Sequence, residues 1–207
     1  RIPKTKTRIG SVLKTPAVLL STIVGFLLIG AAAAAEVAVV SVFDHGGAEA
    51  GIILSIWALG SIIGGLSLGG REIKPWALAV RMLIVFLGLA MAGIVLEFWW
   101  MSLALLVAGI GIAPALAVMF AIVSASVKFS ETPEAYGWMG SGQLIGAALG
   151  SAVAGFAIDG FDSLGGFIAA SLFAGAGVVV AAVFRNSQPD LRQRDPSPLP
   201  DTGPIQT

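Results

Sequence analysis

Residue 36 is the only carboxylate well inside an apolar run, the stretch from about Pro16 to Phe43. An ionised carboxylate in hydrocarbon is costly, so such a residue usually faces a cavity or a partner. Removal from water also favours the neutral acid, which is the chemistry a proton-exchanging group needs. Glu36 is therefore the candidate for coupling a process to protons. At 100° per residue, Thr22, Gly25, Ile29 and Glu36 share one helical face, which is small and partly polar. The plainer account is an interfacial Glu, because it lies roughly 9 Å beyond the midpoint of its run at about 1.5 Å per residue.

Gln143 sits in the middle of a glycine-rich run, with Tyr136 and Gly150 one heptad to either side. It suits a substrate contact or an interhelical hydrogen bond beside Gly142, Gly146 and Gly150, whose spacing close helix packing explains by itself. Thr22, Trp57 and Gln143 are the substrate-cavity candidates, although Trp57 equally suits a position facing lipid. Pro114 removes a backbone donor inside an apolar run and should bend it, which makes it a gating candidate or a plain kink. Arg71, in a charged turn, is a second gating candidate. Arg81 is expected to snorkel from the end of its run rather than bind an anion.

Metal and nucleophile chemistry find little support. His45, the sole histidine, falls in a polar patch and reads as a solvated turn residue. Gly140-Ser141-Gly142 superficially suits a serine nucleophile, yet a membrane-embedded hydrolase needs a base within hydrogen-bond reach, and His45 lies outside the apolar runs. Cysteine is absent, which removes disulfides, thiolate metal sites and thiol nucleophiles. No metal or cofactor is expected.

These residues must be positioned by elements that live in lipid. Of 207 residues, 57% are hydrophobic and 12% charged, too little polar surface to clothe a water-soluble globule. Formal net charge is zero and no basic tract alternates with aromatic residues, so no nucleic-acid surface is expected. The apolar runs cover about Pro16 to Phe43, Ala50 to Gly69, Trp76 to Leu96, Met101 to Val127, Glu134 to Ile158, and a sixth ending near Phe184. Each is long enough to cross a hydrocarbon core of about 30 Å as a helix. Residues 1–14 read as a basic cytoplasmic segment, 15–185 as a transmembrane bundle, and 186–207, rich in Ser, Pro, Gln and Asp, as a disordered cytoplasmic tail. A start at Arg1 rather than Met reads as a fragment boundary.

Six crossings put both ends on one side. The Lys and Arg residues lie before the first run, around the second turn (Arg71, Lys74, Arg81), at Lys128, and after the last run, whereas the opposite loops carry only acidic charges. The positive-inside rule then predicts a multi-pass plasma-membrane protein with both termini cytoplasmic.

Gly60-Ser61-Ile62-Ile63-Gly64-Gly65 repeats as Gly150-Ser151-Ala152-Val153-Ala154-Gly155 at a constant offset of 90. The second run heads inward and the fifth outward, so a true repeat would be inverted, three helices followed by three, as in secondary transporters.

The six runs, the Gly-Ser-x-x-Gly-Gly pattern ahead of Gly70-Arg71, Gly109, Gly111 and Pro114 in the fourth run, and Glu134-Ala135-Tyr136-Gly137-Trp138 opening the fifth resemble the C-terminal half of a major facilitator superfamily (MFS) transporter. The resemblance covers about Lys14 to Phe184. It implies an all-α integral membrane fold, six transmembrane helices as a 3+3 inverted repeat, with partners that are a small-molecule substrate, protons, the lipid bilayer and an N-terminal six-helix half on the same or a second chain. The family's loop motif carries an Asp before its Gly-x-Arg, and Leu68-Gly69-Gly70-Arg71 has none, which removes the partner of any gating ion pair at Arg71. The expected function is secondary transport by alternating access, with proton-coupled efflux as its finer form. The alternatives are a self-contained six-helix scaffold or a dimerising half-transporter.

Overall fold

The computed structural model describes residues 10–43, 47–70, 72–192 and 196–201. Five helices follow the apolar runs: α1 (Pro16–Val42), α2 (Glu49–Leu68), α3 (Ala77–Ala92), α4 (Phe98–Ser124) and α5 (Thr132–Val183). Proline at the first turn of α1 and of α5 supplies the backbone angle a helix start needs and lacks only an amide that would be unpaired there anyway. Among the described residues, four segments are long and apolar enough to span a membrane, Pro16–Val42, Glu49–Leu68, Phe98–Ser124 and Phe129–Val183, and the shorter Ala77–Ala92 is apolar as well.

The 52 residues of α5 are not one rod. Phe161 (φ −137°, ψ 21°) and Asp162 (φ 53°, ψ −162°) leave the helical region, at the place where the Asp159–Asp162 turn is expected. The two limbs, 132–160 and 163–183, double back on each other, and a methyl group at Gly165 would collide with the Ala157 carbonyl. Each limb has bilayer length at about 1.5 Å per residue.

Packing follows the glycines. Helix α1 packs chiefly on α5, and α2 on α4, while α3 lies against both α4 and α5. Gly142, Gly146 and Gly150 of α5 meet Thr22, Phe26 and Gly30 of α1, so closely that a methyl group at Gly146 or Gly150 would strike the Phe26 or Gly30 carbonyl. Gly60 and Gly64 of α2 meet the Leu106 and Ile110 carbonyls of α4 in the same manner. Small residues at four-residue spacing let backbones approach where lipid supplies no hydrophobic drive between helices. Pro114 has no amide to donate to Ile110, and Gly64 packs on that same carbonyl. The outer surface carries Leu66, Leu144, Phe156 and Val179 exposed. Such a surface suits hydrocarbon rather than water.

The segments bearing basic residues gather at one end of the bundle. Gly10, at φ +88°, donates its amide to Glu134 Oε1 (2.7 Å). The Arg185 guanidinium lies 4.5 Å from the centre of the Trp76 ring. Within the stretch read as a tail, Leu199 donates to the Val127 carbonyl (2.9 Å) and accepts from the Phe129 amide (3.0 Å). Ser130 donates to Asp201 Oδ1 from its hydroxyl (2.7 Å) and its amide (3.1 Å). Leu191, in the same stretch, is buried as well.

Candidate functional site

Glu36 is exposed, although it lies on a helix built almost wholly of apolar and small residues. Its neighbours Ala34, Ala35, Ala38 and Val39 are fully buried, so the carboxylate occupies the one strip of this turn that no helix covers. The strip opens into a groove of about 230 Å³ between α1, α2 and α4, lined by Ala32, Glu36, Leu54, Trp57, Ser61 and Ile112 among others. Leu54, Trp57, Ala58 and Ser61 are one stripe of α2, at spacings of three, one and three residues. The next stripe, Gly60 and Gly64, clamps α2 to α4 and so holds the first stripe toward Glu36.

Trp57 is 6% exposed, and its Nε1 is buried without a hydrogen-bond partner among the described residues. A buried indole N–H normally finds an acceptor. The indole Cδ1 edge lies against Gly109 of α4, so the Glu36 carboxylate is the charged group of a groove walled mostly by apolar and small side chains. Trp57 lines this groove rather than standing free on the outer surface. Ser61 was not singled out from sequence. Its signal was present, because it stands one helical turn from Trp57.

Thr22 and Gln143 both lie in the α1–α5 seam instead. Gln143 packs over Gly25, and its Nε2 is buried without a partner among the described residues. Thr22 is half-buried against Gly142, and its hydroxyl donates to the Val18 carbonyl (2.9 Å). Fourteen residues of helix separate Thr22 from Glu36, about 21 Å at 1.5 Å per residue. The face shared by Thr22, Gly25, Ile29 and Glu36 is thus covered by α5 at one end and open at the other. Pro114 is buried in α4, two residues beyond Ile112 of the groove. Arg71 and His45 lie outside the described residues.

Arg81 does not snorkel. It is 6% exposed, and its Nη2 donates to the carbonyl of Leu68, the last residue of α2 (3.2 Å). A carbonyl freed by the end of a helix attracts a cation and lies nearer than bulk water. At the opposite side of the bundle, Trp99 is 81% exposed, while Trp100 Nε1 donates to the Met91 carbonyl (2.7 Å), as suits aromatic residues at a membrane interface.

Apolar helices of this length, with exposed apolar side chains around them, define a multi-pass helical membrane protein. The family is narrower still. Residues 18–206 match the model of the Major Facilitator Superfamily, and the chain belongs to that superfamily of transporters. In architecture it is similar to the crystal structure of the peptide transporter POT (E310Q mutant) in complex with alafosfalin, with a TM-score of 0.66 at 20% sequence identity. The match covers 89% of this chain and 41% of that one, so the chain spans about two fifths of that transporter's length. No curated protein matches the chain in sequence.

Proposed function

We propose that this chain is the C-terminal six-helix half of a secondary transporter that moves a small solute across the plasma membrane by alternating access, with Glu36 exchanging the coupling proton. The observation that carries the reading is Glu36 itself, exposed in a groove with Trp57 and Ser61 on an otherwise apolar helix. A carboxylate is kept there at a cost that an uncoupled bundle has no reason to bear. The groove is the C-terminal wall of the cavity, and an N-terminal half supplies the other wall. Thr22 and Gln143 lie farther along the same face, packed in the α1–α5 seam, and Pro114 and Arg71 belong to the moving parts. With the two limbs of α5 counted separately, the helices number six. Helix α2 then packs on the first helix of the second triplet, and the first limb of α5 on the first helix of the first triplet. Gly60 and Gly150, the equivalent residues of the sequence repeat, both seat against a carbonyl in those contacts. That pattern supports reading the helices as a 3+3 repeat, inverted as the opposite directions of the second and fifth runs imply.

The test is Glu36→Gln in the complete transporter, reconstituted with an imposed pH gradient. Glutamine keeps size and hydrogen bonding while fixing the neutral state. Solute movement driven by the gradient should be lost, while exchange of solute for solute persists. Wild-type gradient-driven transport in the variant would sink the coupling role. Orientation is tested separately on the cysteine-free background: a cysteine at Gly160 should react with an impermeant maleimide in intact cells and one at Ser130 should not, and the reverse would invert the topology.

A further inference from the structure

Where α2 ends and α3 begins, a second cavity of about 560 Å³ lies far from the Glu36 groove in chemistry, with Leu68, Glu72, Lys74, Trp76, Val80 and Arg81 in its wall. Arg81 is the unusual member. One of its guanidinium nitrogens holds the Leu68 carbonyl, but Nη1 is buried with no hydrogen-bond partner among the described residues. A capped helix end therefore accounts for half of this guanidinium and leaves the other half unused. A buried guanidinium nitrogen without a partner is expensive, and the planar fork of Arg suits phosphate oxygens.

The surroundings favour the same ligand. Lys74 adds a second, exposed cation. Glu72 opposes them; Arg192 nearby is paired with Asp190, while Arg185 covers the Trp76 ring and adds a third cation. The positive charges of this corner thus outnumber the negative ones. The cavity sits where apolar helices give way to a charged turn, the level of lipid headgroups, and Trp76 is half-exposed there. Val80, also half-exposed, and Leu68 extend its wall along the apolar surface, where an acyl chain would run.

We propose that this cavity binds the phosphate of an anionic phospholipid, with Arg81 and Lys74 on the phosphate and an acyl chain along Val80 and Leu68. Basic pockets between membrane helices recognise lipid phosphates by this combination of fixed cation and apolar wall. The site is independent of the proposed transport reaction, and its test does not use transport.

The experiment is native mass spectrometry of the full chain in detergent, titrated with phosphatidylglycerol, with phosphatidylcholine, and with phosphatidylglycerol against millimolar inorganic phosphate. Phosphatidylglycerol should bind in preference to phosphatidylcholine. Affinity should fall about fivefold for each cation removed, in Arg81→Gln and in Lys74→Gln, and Arg81→Lys should restore much of the loss. Should Arg81→Gln fail to fold, the exposed Lys74→Gln carries the test alone. Equal binding of the two lipids, or unchanged affinity in Lys74→Gln, would overturn the proposal. Displacement of the lipid by inorganic phosphate would overturn it in favour of a soluble phosphate.

Discussion

The two halves of α1 present the same helical face to opposite fates. Around Thr22 and Gly25 the face is sealed, because Gly142 and Gly146 of α5 bring a second backbone into contact and Gln143 lies across Gly25. Around Ala32 and Glu36 it is open, because the neighbouring helix is α2, whose Trp57 stands off and leaves a groove of about 230 Å³. Polarity does not decide which half is open, since Thr22 and Gln143 are polar as well. The partner's side-chain volume decides: glycine admits a backbone, whereas tryptophan next to alanine and serine leaves a cleft.

The largest effect should come from adding volume to the sealed half. Gly146→Leu drives a side chain into the Phe26 carbonyl, and overpacking of this kind costs about 1–3 kcal/mol, more where backbones must separate. Thermal unfolding of the purified protein should show a large loss or no folded material. The same enlargement in the open half, Ala58→Leu, should change stability by no more than about 0.5 kcal/mol, because Ala58 is exposed, while solute transport falls because the groove is filled. Equal destabilisation by the two substitutions would erase the distinction between the halves.

A smaller effect is expected at Gln143. Its Nε2 is buried without a partner among the described residues, and an unsatisfied amide of this sort carries a penalty of about 1–3 kcal/mol. Gln143→Met keeps the length of the side chain and removes the amide, so the melting temperature should hold or rise slightly, and transport should drop far less than in Glu36→Gln. Loss of transport at an unchanged melting temperature would instead make Gln143 a substrate contact and extend the open site into the sealed half.

The helices and their glycine seams were legible in the sequence because hydropathy and spacing act locally. The expected runs match α1 to α4 to within a few residues, and the turn at Asp159–Asp162 falls at the break in α5. Glu36 stood out because a lone carboxylate is expensive in an apolar run. What could not be read depends on which helix lies opposite. Trp57 faces the groove only because Gly60 and Gly64 rotate α2 onto α4. The environment of Thr22 differs from that of Glu36 through α5, more than a hundred residues away in sequence. Arg81 is buried because the carbonyl of Leu68, from another helix, comes within its reach.

The smallest effect belongs to the clasp at the sealed end, where Asp201 binds Ser130 and Leu199 pairs with Val127 and Phe129. Two hydrogen bonds from Ser130 favour the ionised carboxylate and hold Asp201 below the usual carboxylate range. A carboxyl group lowered in the folded state contributes stability above its unfolded value and loses that contribution as pH falls through its folded value. Attachment of the 196–201 segment should therefore be complete at neutral pH and weaken only in acid, below the ordinary Asp value of about 3.9. Asp201→Asn should weaken it at neutral pH and abolish the acid dependence, read as faster proteolysis of the C-terminal segment. Both groups are exposed, so global stability should not move measurably. The comparison between halves is sharpened by a further readout on the same variant. If the glycine seam seals the Thr22 end, a cysteine at Gln143 should be as slow to label in Asp201→Asn as in the parent protein. If labelling accelerates, the clasp and not the seam keeps that half closed.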